Sequence, residues 1–166
     1  MPIETQVRDA QTAQPPITRE DLLKGLQEDL SREYQAILAY VVYSQALKGP
    51  EYMAIAKELE VHAGEELQHA IIIAKQIDYL GGMPNATALP VTLSESAEDM
   101  LRADLQNEND TVRAYRERVR QCELLGEFAM SEQIREILIQ EQEHQIDLAT
   151  ALGEDVPDVS KMTKQE

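Results

Sequence analysis

The stretch EELQH at 65–69 sets Glu66 three residues before His69, and EQEH at 141–144 sets Glu141 three residues before His144. On a helix, residues three apart share a face, so each pair can aim a carboxylate oxygen and an imidazole nitrogen at one point. That mixture of oxygen and nitrogen donors suits a divalent cation. A single pair of this kind is ordinarily a surface feature or a coincidence. Here it occurs twice, each time with a glutamate at the same interval upstream: Glu33 for Glu66, and Glu108 for Glu141. The second set repeats the first at a constant offset that takes Glu33 to Glu108, Glu66 to Glu141 and His69 to His144. Tyr40, two helical turns after Glu33, is matched at that offset by Tyr115, two turns after Glu108.

Four segments with helical periodicity carry these residues, and nothing reads as a strand. Thr18, in ITRED, is placed to cap the first, which runs to about KGP at 48–50. The second covers roughly 51–80 and stops at Gly81 and Gly82; GGMPNATALPVTL is a linker, and SESAED opens the third. The fourth starts near Gly126 and ends around Gly153. Residues 1–17 read as a flexible polar arm, 18–153 as the folded domain, and 154–166 as a polar tail without an apolar stripe for a further helix. At steps of three and four, each helix shows an apolar stripe interrupted near its middle by one glutamate: Glu33 among Leu26, Leu30 and Ile37, Glu66 among Leu59 and Ile73, Glu108 among Leu105 and Val112, Glu141 among Ile137 and Leu148.

In an antiparallel hairpin, residues equally far from the turn face each other. The midpoint of Glu33 and Glu66 falls on Gly49 and Pro50, and that of Glu108 and Glu141 just before Gly126, so each hairpin brings its two glutamates level. The linker from Gly81 to Leu93 reaches about 43 Å when extended, against ~42 Å of helix axis to be retraced. A crossover along the bundle is feasible and puts all four glutamates at one level. The expected fold is all-α, an antiparallel four-helix bundle with a long crossover between the second and third helices.

Four ionised carboxylates facing one another in a core would cost several kcal/mol each without compensation. A cation is the economical answer. One glutamate from each of two helices, plus a Glu-x-x-His from each of the other two, is the ligand pattern of dinuclear carboxylate sites in bundle cores. The metal ligands expected are therefore Glu33, Glu66, His69, Glu108, Glu141 and His144, and iron(II) or manganese(II) suits them; without thiolates, a structural zinc knot is disfavoured. Tyr40 and Tyr115 are either core tyrosines with satisfied hydroxyls or functional groups that hydrogen-bond the ligand carboxylates or donate electrons. His62 lies on the inward face one turn before Glu66 and has no counterpart in the second half, where the repeat places Ile137. It is either a buried histidine bonded to a neighbour or an extra, transient ligand. The arginines of RAYRERVR at 113–120 read mostly as a solvated outer face, and Cys122 as a small buried hydrophobe.

Composition limits the function classes. With 166 residues and 43% hydrophobic content the chain suits one domain with a full core. A net charge of −16 repels phosphate backbones and anionic lipid and attracts cations. Nucleic-acid and membrane partners are not expected. A single cysteine, an N-terminus (MPIETQVRDA) without a basic start or apolar core, and apolar runs too short for a bilayer point to a reducing, cytoplasmic setting. Val41, Val42, Ile71 and Ile72 lie outside the core stripes, which points to a homodimer through that face or a larger homo-oligomer.

With these residues in view, the chain resembles the ferritin-like superfamily, and within it bacterioferritin. The resemblance covers about 18–152 and rests on Glu33, EELQH with Glu66 and His69, MLRADLQNE ending in Glu108, EQEH with Glu141 and His144, and Tyr40. It implies a dinuclear iron centre that oxidises iron(II) with dioxygen or peroxide, Glu66 and Glu141 bridging the irons, Glu33 and Glu108 each holding one, and one histidine per iron. In cage-forming members the product is stored as a ferric mineral. Where bacterioferritin has its haem-ligating methionine, directly after the second-helix glutamate, this chain has Leu67, so haem is not expected. The short fifth helix of 24-subunit cages is not evident. Rubrerythrin's additional glutamate falls at Thr111, and no cysteine-paired rubredoxin module is present. The expected activity is that of a ferroxidase serving iron storage or detoxification. The rival readings are a two-metal peroxide or oxygen reductase without mineral storage, and a helical interaction protein without metal.

Overall fold

A computed structural model describes residues 16–162; most of the expected N-terminal arm and the end of the tail lie outside them. The described chain forms four long helices, α1 (Arg19–Ala46), α2 (Met53–Tyr79), α3 (Ala97–Leu124) and α4 (Phe128–Ala151), with a short 3₁₀ turn, Pro50–Tyr52, leading into α2. No strand occurs among these residues, as the periodicity predicts.

Local chemistry places the helix ends. Thr18 caps α1 through a reciprocal capping box with Asp21, and the Ser96 hydroxyl accepts from the Asp99 N–H at the start of α3. At the far ends of α2 and α3, Gly81 (φ 87°) and Gly126 (φ 75°) adopt the left-handed conformation that side chains resist. In the turn after α3, the Glu127 N–H closes back on the Cys122 carbonyl at 2.8 Å.

α1 packs along α2 and α3 along α4, and the two hairpins are joined face to face through α1 with α3 and α2 with α4. Between the hairpins the linker climbs α1. The Gln27 amide reaches the Met83 carbonyl, the Leu89 N–H bonds the Ser31 carbonyl, Gln35 reaches Pro90, and the Tyr43 hydroxyl bonds the Thr92 carbonyl. These contacts advance along α1 and the linker in the same direction, so α3 starts beside the C-terminal end of α1. This is the crossover, and it makes α1 and α3 antiparallel neighbours: Asp29 meets Arg118, Glu33 meets Tyr115, and Tyr40 meets Glu108.

Two apolar clusters fill the bundle. One holds Leu22, Leu26, Leu30, Ile73, Ile77, Ile134 and Ile137; the other holds Tyr43, Leu59, Leu101, Leu105 and Leu148. The glutamates and histidines lie in the polar layer between them. One expectation needs correction, and two buried residues add to the others. Ile72 is partly buried against the first cluster and does not belong to the exposed face, whereas Val41, Val42 and Ile71 do. Arg118 is buried; its Nε donates to Asp29 Oδ2 at 2.8 Å, because a carboxylate buried on α1 requires a charged partner. Gly25 leaves room for that guanidinium, since a Cβ there would collide with it. Val159, in the tail, is buried, although no helix forms among residues 152–162.

Candidate dinuclear metal centre

All six predicted donors meet in the polar layer, each at most 2% exposed. They form two sets whose donor atoms all lie within 4.8 Å of one another: Glu33, Glu66, His69 and Glu141, and Glu66, Glu108, Glu141 and His144. Glu66 and Glu141 belong to both. His69 Nδ1 lies 3.0 Å from Glu66 Oε2 and 3.1 Å from Glu141 Oε1, with Glu33 Oε2 at 3.6 Å. His144 Nδ1 lies 2.9 Å from Glu66 Oε1 and 3.4 Å from Glu141 Oε2, with Glu108 Oε1 at 3.9 Å. Each shared glutamate thus turns one oxygen toward each histidine.

The surroundings orient these donors. His69 Nε2 donates to Gln140 Oε1 at 2.7 Å and His144 Nε2 donates to Glu65 Oε2 at 2.8 Å, since both oxygens only accept. Nδ1 of each ring therefore faces the centre. The Tyr115 hydroxyl donates to Glu33 Oε1 and the Tyr40 hydroxyl to Glu108 Oε1, each tyrosine serving the glutamate of the opposite hairpin. This is the ligand-partner option for both tyrosines.

Several donor atoms of this layer are left unsatisfied. Buried atoms without a hydrogen-bond partner among the described residues include Glu33 Oε2, Glu66 Oε1, Glu108 Oε2, both oxygens of Glu141, and His144 Nδ1. Native interiors rarely strand polar atoms, and stranded carboxylate oxygens grouped around imidazole nitrogens fit two divalent cations. Without cations, protons supply the compensation. Burial, with repulsion from Glu141 and Glu66, holds Glu33 and Glu108 well above the usual carboxylate range. Burial would lower His69 and His144, but their contacts with Glu141 and neighbouring carboxylates outweigh it and raise both, His144 to about 12. Those imidazolium contacts in turn hold Glu66 and Glu141 down against the effect of burial.

The sequence singled out neither Glu65 nor Gln140, which support the two imidazoles, nor Asp147, whose Oδ2 lies 3.2 Å from His62 Nε2. Glu65 and Gln140 are themselves related by the offset that takes Glu66 to Glu141, a signal the internal repeat contains. Asp147 has no such signal. His62 is buried, bonded to this neighbour and stacked on the His144 ring with centroids 4.0 Å apart. Cys122 is buried, and its thiol is pushed up to about 11 by burial and nearby carboxylates, as a packing residue requires.

The profile of the ferritin-like domain family matches residues 23–156. A bacterioferritin from Rhodobacter capsulatus is 31% identical over 76% of this chain and 78% of its own length; one from Brucella melitensis biotype 1 is 28% identical over 81% and 88%. Among solved structures, a ferritin-like, diiron-carboxylate protein from Bacillus anthracis str. Ames superposes with a TM-score of 0.77 at 28% identity, covering 81% of this chain and 96% of that one. Among the described residues no helix is long and apolar enough to cross a membrane. By sequence, by fold and by the carboxylate and histidine layer at its centre, the chain belongs to the ferritin-like domain family, with bacterioferritins among its relatives.

Proposed function

We propose that the protein is a two-iron ferroxidase, with iron(II) as substrate and dioxygen or peroxide as oxidant. The carrying observation is that Glu66 and Glu141 each offer one oxygen to the His69 side and the other to the His144 side. That is the arrangement two bridged cations need. Glu33 and His69 complete one site, Glu108 and His144 the other, and manganese(II) suits the same donors. Two iron(II) ions held there would supply one electron each, which with two protons reduce dioxygen to hydrogen peroxide, or hydrogen peroxide to water, leaving iron(III).

The chain's own part is to hold and to deprotonate. Glu33 and Glu108 lose their protons to become ligands, and His69 and His144 release theirs from Nδ1 while keeping Nε2–H on Gln140 and Glu65. Tyr115 and Tyr40 each donate a hydrogen bond to one oxygen of Glu33 and Glu108, leaving the other for the cation. The acidic surface concentrates cations around the molecule. An exposed apolar stripe on α1 and α2, Leu38, Val41, Val42, Leu67 and Ile71, is the face through which two copies pair. The setting is the reducing cytoplasm, where iron(II) is available.

An anaerobic iron(II) titration, opened to air and followed by gel filtration, tests this reading. Retention of about two iron ions per chain with a saturating absorbance change is the expected result for a dinuclear redox centre. Tens per chain would add a mineral store. None would end the proposal.

A further inference from the structure

With all six donors buried, a cation arriving from solvent must pass a side chain. Behind His69 stands the neutral Gln140; behind His144 stands Glu65, with His62 next to it. Glu58 and His62 are one turn apart on α2 and face Asp147 on α4, with one donor atom from each inside a 4.8 Å span. His62, Glu65 and His144 satisfy the same limit, so His62 belongs to both groups. Exposure falls along the series. Glu58 is exposed, the Asp147 side chain is 42% and the Glu65 side chain 30% accessible, while His62 is 3% and His144 1% exposed.

Packing alone does not account for His62. Its Nε2 approaches Asp147, but its Nδ1 is buried without a hydrogen-bond partner among the described residues. The positions related to His62 and Asp147 by the internal repeat are Ile137, which is fully packed, and Ile72. At the equivalent place across the polar layer the bundle therefore packs aliphatic side chains, and a polar pair stands only on the His144 side.

We propose that Glu58, His62 and Asp147 form a third divalent-cation site at the mouth of the His144 side, loaded from solvent and passing its ion by way of Glu65 toward the dinuclear centre. Two carboxylates and one imidazole suit iron(II), manganese(II), cobalt(II) or zinc(II). The passage toward the centre rests on the dinuclear reading; the site itself does not.

Anaerobic cobalt(II) titration of the full chain, at moderate salt to suppress diffuse surface binding, followed by calorimetry and by cobalt absorption, tests the site. The expected result is two tightly held ions and a weaker third per chain. Asp147→Asn, a near-isosteric change at a half-exposed position, and His62→Ala should each remove the third ion and keep the other two. Glu66→Ala with Glu141→Ala should do the reverse. Two ions only in the unmodified protein, or a third that persists in both Asp147→Asn and His62→Ala, overturns the site. Absence of the two tight ions with the third retained would instead break the dinuclear reading.

Discussion

Tyr40 reaches across to Glu108 and Tyr115 reaches back to Glu33, so around the carboxylates the α1–α2 and α3–α4 hairpins are interchangeable. Behind the imidazoles they differ. The repeat-related positions 65 and 140 hold a carboxylate and an amide, and positions 62 and 137 hold a histidine and an isoleucine. A carboxylate accepting from Nε2–H raises the basicity of Nδ1 more than an amide does, so on the dinuclear reading the Glu65 contact would make His144 the stronger donor to a cation. Repeated residues build the pair of sites, and unrepeated ones make the two sites unequal.

The largest effect should come from removing what both halves share. Glu66→Ala with Glu141→Ala is expected to abolish tight binding of both cations, read by metal content after gel filtration; a retained pair of ions would mean that the shared oxygens do not bridge. Next, Glu33→Gln and Glu108→Gln should each reduce the two tight cobalt(II) ions to one, in one case sparing the His144 site and in the other the His69 site. If either variant loses both ions, the sites are not separable.

The inequality itself is tested by exchange behind the rings. Glu65→Gln should weaken the His144 site about tenfold, and Gln140→Glu should strengthen the His69 site by a similar factor, drawing the two binding steps together. Unchanged steps in calorimetry would show that this difference is without consequence.

Protons give a subtler test. Glu33 and Glu108 are raised above 4.5, and His69 and His144 above 6.5, in the folded cation-free protein. Groups raised on folding stabilise fully below their unfolded values, and that contribution is lost as pH climbs toward the folded ones. The cation-free protein should therefore melt at lower temperature at pH 9 than at pH 6. Cations replace these protons, so the gap between loaded and cation-free melting temperatures should widen over the same range, with net proton release on cobalt(II) binding at pH 7. A gap that narrows would contradict the assigned protonation. Smallest of all, Tyr40→Phe and Tyr115→Phe should each cost about 1 kcal/mol, or about 2–4 °C in melting temperature. Equal losses would support the symmetry around the carboxylates, and unequal ones would move the asymmetry inward.

Periodicity, breakers and caps made the four helices legible in the sequence, with ends placed within a few residues: Thr18, by its side-chain cap, and Gly81, by its left-handed backbone, mark boundaries whatever packs around them. The six residues that meet in the polar layer were legible as well, because a glutamate in the middle of an apolar stripe contradicts its surroundings and the internal repeat states the contradiction twice. Tertiary structure decided the rest. Only the approach of α1 to α3 buries Arg118 against Asp29, where helix periodicity alone suggested a solvated charge run. Only the approach of α2 to α4 brings Asp147 to His62 and Glu65 to His144, since residues so distant in sequence carry no spacing rule across an interhelical contact. The two oxygens of Glu66 and of Glu141 likewise divide between two histidines only in three dimensions. A sequence can show which residues share a face, because helix geometry is local; which faces meet, and at what level, depends on how the whole bundle packs.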